Sequence, residues 1–246
     1  MKIKDASSLI LVNRRGDCPR ILMGRRSAKH QFMPSVYVFP GGRVDYADRF
    51  APFGRDYTLE TLDLLLQQMK GRPTALRARM LGLAAIRETY EEVGLMLGAS
   101  ANTKRQYNQP LWNAFNDRGM LPDLSSLTYI ARAITPPGHN RRFDTRFFMV
   151  NADQYLNDQA AHSSDELEDV QWLSFDQTED MPIHFITRQI IEITKAAIEH
   201  QDNHREPPKV AFYRAKMGAD NLARIVTYLR AGKEPLDGGE LLVQNR

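Results

Sequence analysis

One segment constrains this chain more than any other: residues 75 to 93, an uninterrupted stretch with a helix start signal before it and a stop signal after it. Thr74 is suited to cap the N-terminus, because its hydroxyl can accept from the unpaired amides of the first turn. Gly94 can take the left-handed backbone that ends a helix at no steric cost. Between them Leu83, Ile86, Tyr90 and Val93 recur at three- and four-residue spacing, so one side of the helix faces a core. Glu88, Glu91 and Glu92, at i, i+3 and i+4, share the other side with Arg87 beside them. Ala84 and Ala85 on that side leave room for a ligand. Carboxylates at this spacing repel by a few tenths of a kcal/mol per exposed pair, and by more in a cleft. A fold tolerates them where cations neutralise the cluster, and hard divalent ions take carboxylate oxygens. The plain alternative is a solvated acidic face. Acidic residues near a helix C-terminus oppose the macrodipole, which counts against it.

The rest of the chain reads as strands around that helix. Ser8 to Val12 is a buried strand, with Arg20 to Met23 as its partner across a turn at Gly16-Asp17. Val36 to Phe39 is a third, stopped by Pro40-Gly41-Gly42, a step that lets the backbone approach something closely. Residues 49 to 73 look inserted. Within them Leu59, Leu62, Leu65, Leu66 and Met69 have helical spacing. Leu127 to Ile134 and Arg146 to Val150 are strands on either side of Pro136-Pro137-Gly138, and Asp169 to Leu173 is another. Ile183 to Glu199 has helical periodicity, and a last helix is expected over Ala219 to Arg230. Strands separated by one long helix, with another near the end, predict a mixed sheet sandwiched by helices.

A net charge of +3 gives no reason to expect a nucleic-acid partner. The lone Cys18 rules out an intramolecular disulfide and favours a reducing compartment. The apolar run Leu9 to Val12 is too short for a targeting core, and no stretch approaches the roughly 20 apolar residues of a membrane span. A cytoplasmic protein with no membrane partner is the expectation. The six histidines show no zinc-ligand spacing.

The segment Arg87-Glu88-Thr89-Tyr90-Glu91-Glu92-Val93-Gly94-Leu95 resembles the second half of the Nudix box, R-E-U-x-E-E-x-G-U, with Thr89 departing at one aliphatic position. Gly41-Gly42-Arg43-Val44-Asp45 resembles the first half, G-x5-E, with Gly42 as the box glycine and Asp48 where the family usually has glutamate. The box normally has seven residues between that acid and the arginine; here there are 38. This is similar to the branch with an interrupted box, which includes peroxisomal coenzyme A diphosphatases and bacterial relatives. Thr135-Pro136-Pro137 and Arg141 to Phe148 look like that branch too. The resemblance implies an α/β fold, a Nudix-type α/β/α sandwich with a mixed β-sheet, over residues 1–205. The insertion falls at about 49–73, and 206–246 are expected as a C-terminal helical extension.

The resemblance also implies roles. Glu88, Glu91 and Glu92 would hold Mg2+ or Mn2+, helped by the backbone carbonyl of Gly41. Arg87 would hold the glutamates by charge-assisted hydrogen bonds. The base is either a helix glutamate or a distant acid. Glu166, in the acidic loop Ser163 to Glu168, is the candidate for the latter, with Asp165 and Glu168 competing and a solvated loop as the alternative. Arg142, Asp144 and Arg146 share one face of a strand; the arginines could bind substrate phosphates or pair with Asp144 and nearby glutamates. Arg25, with Arg26-Ser27-Ala28, falls where coenzyme A-specific relatives carry a further motif, from which Gln31 and Ser35 depart.

The expected substrate is a small nucleotide-like diphosphate, with coenzyme A or an acyl derivative first. ADP-ribose, dinucleotides and nucleotide sugars stand behind it. A ligand-sensing domain without turnover usually loses box glutamates, which this chain keeps. An RNA-end processing enzyme would call for a basic, aromatic-rich surface. A homodimer is left open.

Overall fold

The computed structural model describes residues 2–28, 34–101, 105–202, 209–217 and 222–240. Its spine is β1 (Lys4–Asn13), which runs parallel to β8 (Phe143–Asn151) and antiparallel to β2 (Arg20–Arg26) and β4 (Gly41–Arg43). Side chains alternate across a strand. Leu9 and Leu11 therefore join one apolar core, while Ile10 and Val12 join another on the opposite face. Both faces are apolar because helices cover both. On the first lie α1 (Leu59–Leu66) and α2 (Ala75–Val93), through Leu65 and Ile86; on the second lies α4 (Phe185–Asp202), through Ile190, Ile191 and Ile198. The expected sandwich around a mixed sheet is what the chain forms.

Around the spine the sheet runs β12 (Lys233–Glu240), β11 (Leu222–Arg230), β10 (Val210–Met217), β7 (Thr128–Ile134), β8, β1, β2 and β3 (Tyr37–Val38). β4 adds to β1, and β9 (Leu167–Ser174) to β2. A separate hairpin of β5 (Gly98–Ser100) and β6 (Met120–Pro122) encloses α3 (Pro110–Asp117), which buries Trp112 and Phe115. Neither the hairpin nor α3 was expected from the sequence. No helix among the described residues is long and apolar enough to cross a membrane.

α2 has the expected limits. The Thr74 side chain accepts from the Arg77 amide, and Gly94 takes φ 75°. Leu83, Ile86 and Val93 are buried. Ala84 and Ala85 are fully buried as well, so they do not leave room for a ligand. Their small side chains let the helix pack closely on β1 and β4.

The C-terminal expectation fails. In place of a helix over Ala219 to Arg230, Leu222–Arg230 is a strand; residues 218–221 lie outside the described residues. Within it, Ile225-Val226-Thr227-Tyr228 is a β-branched and aromatic run that suits a strand. The three- and four-residue spacing of its apolar residues misleads. β10 pairs in parallel with β7, Ala211 opposite Ala131, so the expected helical extension is a set of strands on the same sheet.

Candidate active site

The glycine bend lies directly on the acidic turn of α2. Pro40 is fixed first: its carbonyl accepts from the Leu9 amide at 2.9 Å and from Ser8 Oγ at 2.9 Å. Gly41 then adopts φ 152°, and a side chain there would overlap the Ser7 carbonyl. A side chain on Gly42 would overlap the Glu88 carboxylate. The Gly41 amide donates to Glu92 Oε2 at 2.8 Å. Two segments far apart in sequence thus meet through an amide, a carboxylate and two missing side chains.

Arg87 ties the two together. Its Nε donates to Asp48 Oδ1 at 2.8 Å, and its Nη2 to Asp48 Oδ2 at 3.2 Å and to the Arg43 carbonyl at 3.0 Å. Its Nη1 donates to Glu88 Oε1 at 2.8 Å and Glu91 Oε2 at 2.9 Å. Burial alone would depress the pKa of this guanidinium, but the bond to Asp48 and the charges of Glu88, Asp48 and Glu91 raise it. The planar fork of arginine meets these three carboxylates at once with donors in fixed directions, which the point charge of lysine does not supply. Asp48 is fully buried on a 3-10 turn, Tyr46–Phe50, and also accepts from the Asp45 amide at 2.8 Å. The shorter acid suffices because the turn brings its backbone inward.

The glutamates differ in environment. Burial pushes Glu88 up to about 7; Arg87 opposes this, while Glu91 and Glu166 add to it. Burial likewise pushes Glu92 up to about 8; the Gly41 amide and Arg26 oppose this, while Glu88 and Glu166 add to it. Glu91 is half-exposed. Glu166 therefore stands in the electrostatic field of the helix glutamates, on a loop whose Glu166 carbonyl accepts from the Ser27 amide at 3.1 Å.

Arg26, named beside Arg25 in the sequence but not chosen over it, is the one that belongs to the same cluster. Burial lowers its pKa, and Glu92, Glu166 and Glu88 oppose that shift. Arg25 points elsewhere: it pairs with Glu168 at 3.2 Å, half-exposed. Strand parity carried the signal. Leu22 lies in the core under α2, while Ile21 and Met23 lie in the core under α4. Arg26 shares the parity of Leu22, and Arg25 that of Met23.

The structure does not bring Arg142 and Arg146 to the glutamates by any hydrogen bond. Arg142 Nε donates to the Thr135 carbonyl at 2.9 Å. Arg146 is fully buried, donating to Asp5 at 2.9 Å and to the Asp144 carbonyl at 2.8 Å. It belongs to a network in which Arg132 makes two 2.7 Å bonds to Asp144 and Arg77 pairs with Asp5 at 2.6 Å. For Arg146, pairing with Asp144, at 3.2 Å, is the arrangement seen; Arg142 instead holds the Thr135 carbonyl.

The donor set can be compared with the ion implied for it. Among the described residues, no three acidic, histidine or cysteine side chains converge as a metal cluster. The chemistry nevertheless fits a hard divalent cation. Glu88, Glu91 and Glu92 offer oxygen donors, and the two buried ones have pKa values raised by burial and by the charge of neighbouring acids, a strain that a bound cation relieves.

No family model matches the chain. It is 28% identical, over 61% of its length and 45% of the relative's, to a Caenorhabditis elegans protein provisionally named nudix hydrolase 7. It is 26% identical to the acyl-coenzyme A diphosphatase NUDT19 of Xenopus laevis, over 68% of its own length and 56% of the relative's. The chain thus spans about half the length of the curated relatives it matches. The crystal structure of a NUDIX hydrolase from Alicyclobacillus acidocaldarius superposes with a TM-score of 0.58 at 25% identity, covering 78% of this chain and 90% of that one. A glycine bend seated on a glutamate-bearing helix, with an arginine linking the two, goes together with this likeness in sequence and architecture to Nudix hydrolases.

Proposed function

We propose that the protein hydrolyses a diphosphate bond in a nucleotide-like substrate, with magnesium or manganese held by Glu88, Glu91, Glu92 and the Gly41 carbonyl. The supporting observation is the hydrogen bond from the Gly41 amide to Glu92, which joins the two halves of the interrupted box at the acidic turn. Such an ion, when bound, lowers the pKa of water and neutralises phosphate oxygens.

The chain's own residues do the rest. Arg87 orients Glu88 and Glu91, and Asp48 orients Arg87. Arg26 offsets part of the negative charge around Glu88, Glu92 and Glu166. Glu166 takes the proton of the attacking water; its charge couples to both buried glutamates while its backbone belongs to a loop outside the helix. A helix glutamate in that role is the alternative. The general-base step requires a carboxylate within hydrogen-bond reach of the water.

Coenzyme A or an acyl derivative is the first substrate. The relationship to an acyl-coenzyme A diphosphatase supports it, as does the interrupted box. ADP-ribose, dinucleotides and nucleotide sugars follow. The test is a panel of these compounds with magnesium and with manganese, reading phosphate-terminated fragments by mass, with Glu91→Gln and Glu92→Gln beside the unaltered protein. Metal-dependent cleavage that Glu92→Gln abolishes is the expected result. Absence of cleavage across the panel, or full turnover by Glu92→Gln, overturns the proposal.

A further inference from the structure

The 3-10 turn Tyr46–Phe50 works in two directions. Inward, Asp48 holds Arg87. Outward, Tyr46 and Phe50 stand in solvent at 70% and 69% exposure. Their rings are 5.9 Å apart at 75°, and the Arg49 guanidinium lies 4.9 Å from one centroid and 5.0 Å from the other. Tyr46 and Arg49 also line a cleft of about 660 Å³ together with Lys2, Lys4, Arg43 and Arg77. That volume suits a small ligand, for which roughly 300–1,000 Å³ is usual.

The charge in the cleft is unbalanced. Its acidic lining residues are Asp5 and Asp45. Asp5 is taken by Arg77 and Arg146, and Asp45 by Arg43. Lys2, Lys4 and Arg49 remain as excess positive charge. Arg43 links the cleft to the candidate active site: it lines the cleft, and its carbonyl accepts from Arg87, which in turn bonds Glu88.

We propose that this cleft takes the phosphorylated nucleoside end of the substrate, with the base on Tyr46, Arg49 and Phe50 and the terminal phosphates on Lys2 and Lys4. Aromatic rings and a guanidinium offer a base stacking and cation–π contact, and lysines pair with phosphate as point charges. Two rings beside a concave basic cleft make too small an apolar area for a protein partner, whose standard interface buries about 800 Å² per side. The assignment to a substrate rests on the hydrolase reading above; the binding itself does not.

The test is calorimetric titration of the metal-free full chain with adenosine 3′,5′-bisphosphate. The unaltered protein should bind saturably. Tyr46→Ala and Arg49→Ala should each weaken binding about tenfold, as loss of a stacking partner does, and Lys4→Glu should also weaken it. Tyr46→Phe, which keeps the ring, should retain it. Thermal melts confirm that the variants fold, as surface changes permit. No saturable binding, or alanine variants that bind like the parent, overturns the proposal. A protein that binds the bisphosphate but cleaves no diphosphate keeps this inference and removes the hydrolase reading. One that cleaves diphosphates with unchanged KM and unchanged bisphosphate affinity in the variants does the reverse.

Discussion

Arg87 and Asp48 share two hydrogen bonds, 2.8 and 3.2 Å, across the 38 residues that separate them in sequence. The insertion therefore leaves the two halves of the box in register, and this buried pair fastens them. Removing one partner of a buried ion pair typically costs about 3–5 kcal/mol, because the other is left uncompensated. Arg87 keeps Glu88 and Glu91, so Asp48→Ala should fall near about 3 kcal/mol in urea unfolding. A loss under about 0.5 kcal/mol, the usual scale of a surface change, would show that the pair fastens nothing.

Gly42→Ala separates stability from cation binding. The new methyl group would meet the Glu88 carboxylate, which is the far end of a flexible side chain. The carboxylate can therefore move aside at a cost of about 1 kcal/mol, the low end for an added methyl in a packed site. It cannot then remain where a divalent ion needs it. Magnesium or manganese should raise the melting temperature of the unaltered protein by binding only the folded state. That rise should vanish in Gly42→Ala. An equal rise in both proteins argues that Glu88 holds no ion.

Arg26 and Arg25 offer a direct contrast. Arg26 lies among the charges of Glu88, Glu92 and Glu166, whereas Arg25 pairs with Glu168 in a half-exposed position. Arg26→Met should lower kcat/KM at least about tenfold, corresponding to 1.4 kcal/mol, and Arg25→Met should change it little. Equal effects of the two would mean that strand parity does not decide which arginine serves the site.

What the sequence disclosed follows from the range of the interactions involved. α2 could be read from Thr74 to Gly94 because caps and apolar spacing are local signals. Arg87 and its glutamates were legible for the same reason. The choice of Arg26 over Arg25 needed the facing of β2, which Leu22 and Met23 encode but which only pairing with β9 and packing under α2 make plain. Ala84 and Ala85 have the right size for either a ligand wall or a close helix–sheet contact, and the second prevails. At the C-terminus, Leu222, Ile225, Val226 and Leu229 recur at helical spacing, which outvoted the β-branched run Ile225-Val226-Thr227. The edge of β7, which β10 pairs, decides for strands. Arg146 was ambiguous because its partner Asp5 lies 141 residues away.

That buried network leads to a pH prediction. Burial alone would raise the pKa of Asp144, but the bonds from Arg132 and the charges of Arg146 and Arg132 outweigh it and hold the carboxyl below its ordinary value. A carboxyl depressed in the folded state takes up protons more readily in the unfolded chain, so stability rises with pH between the two values. The contribution of Asp144 is thus complete above the ordinary aspartate value of about 3.9 and is lost as pH falls through the depressed one. Asp144→Asn should cost about 3–5 kcal/mol near neutral pH, as a broken buried pair does. It should cost less at low pH, where the parent carboxyl is itself protonated. Urea unfolding of both proteins across the acid range measures the gap between them. If the gap stays constant as the pH falls, the Arg132–Asp144–Arg146 network does not govern acid stability.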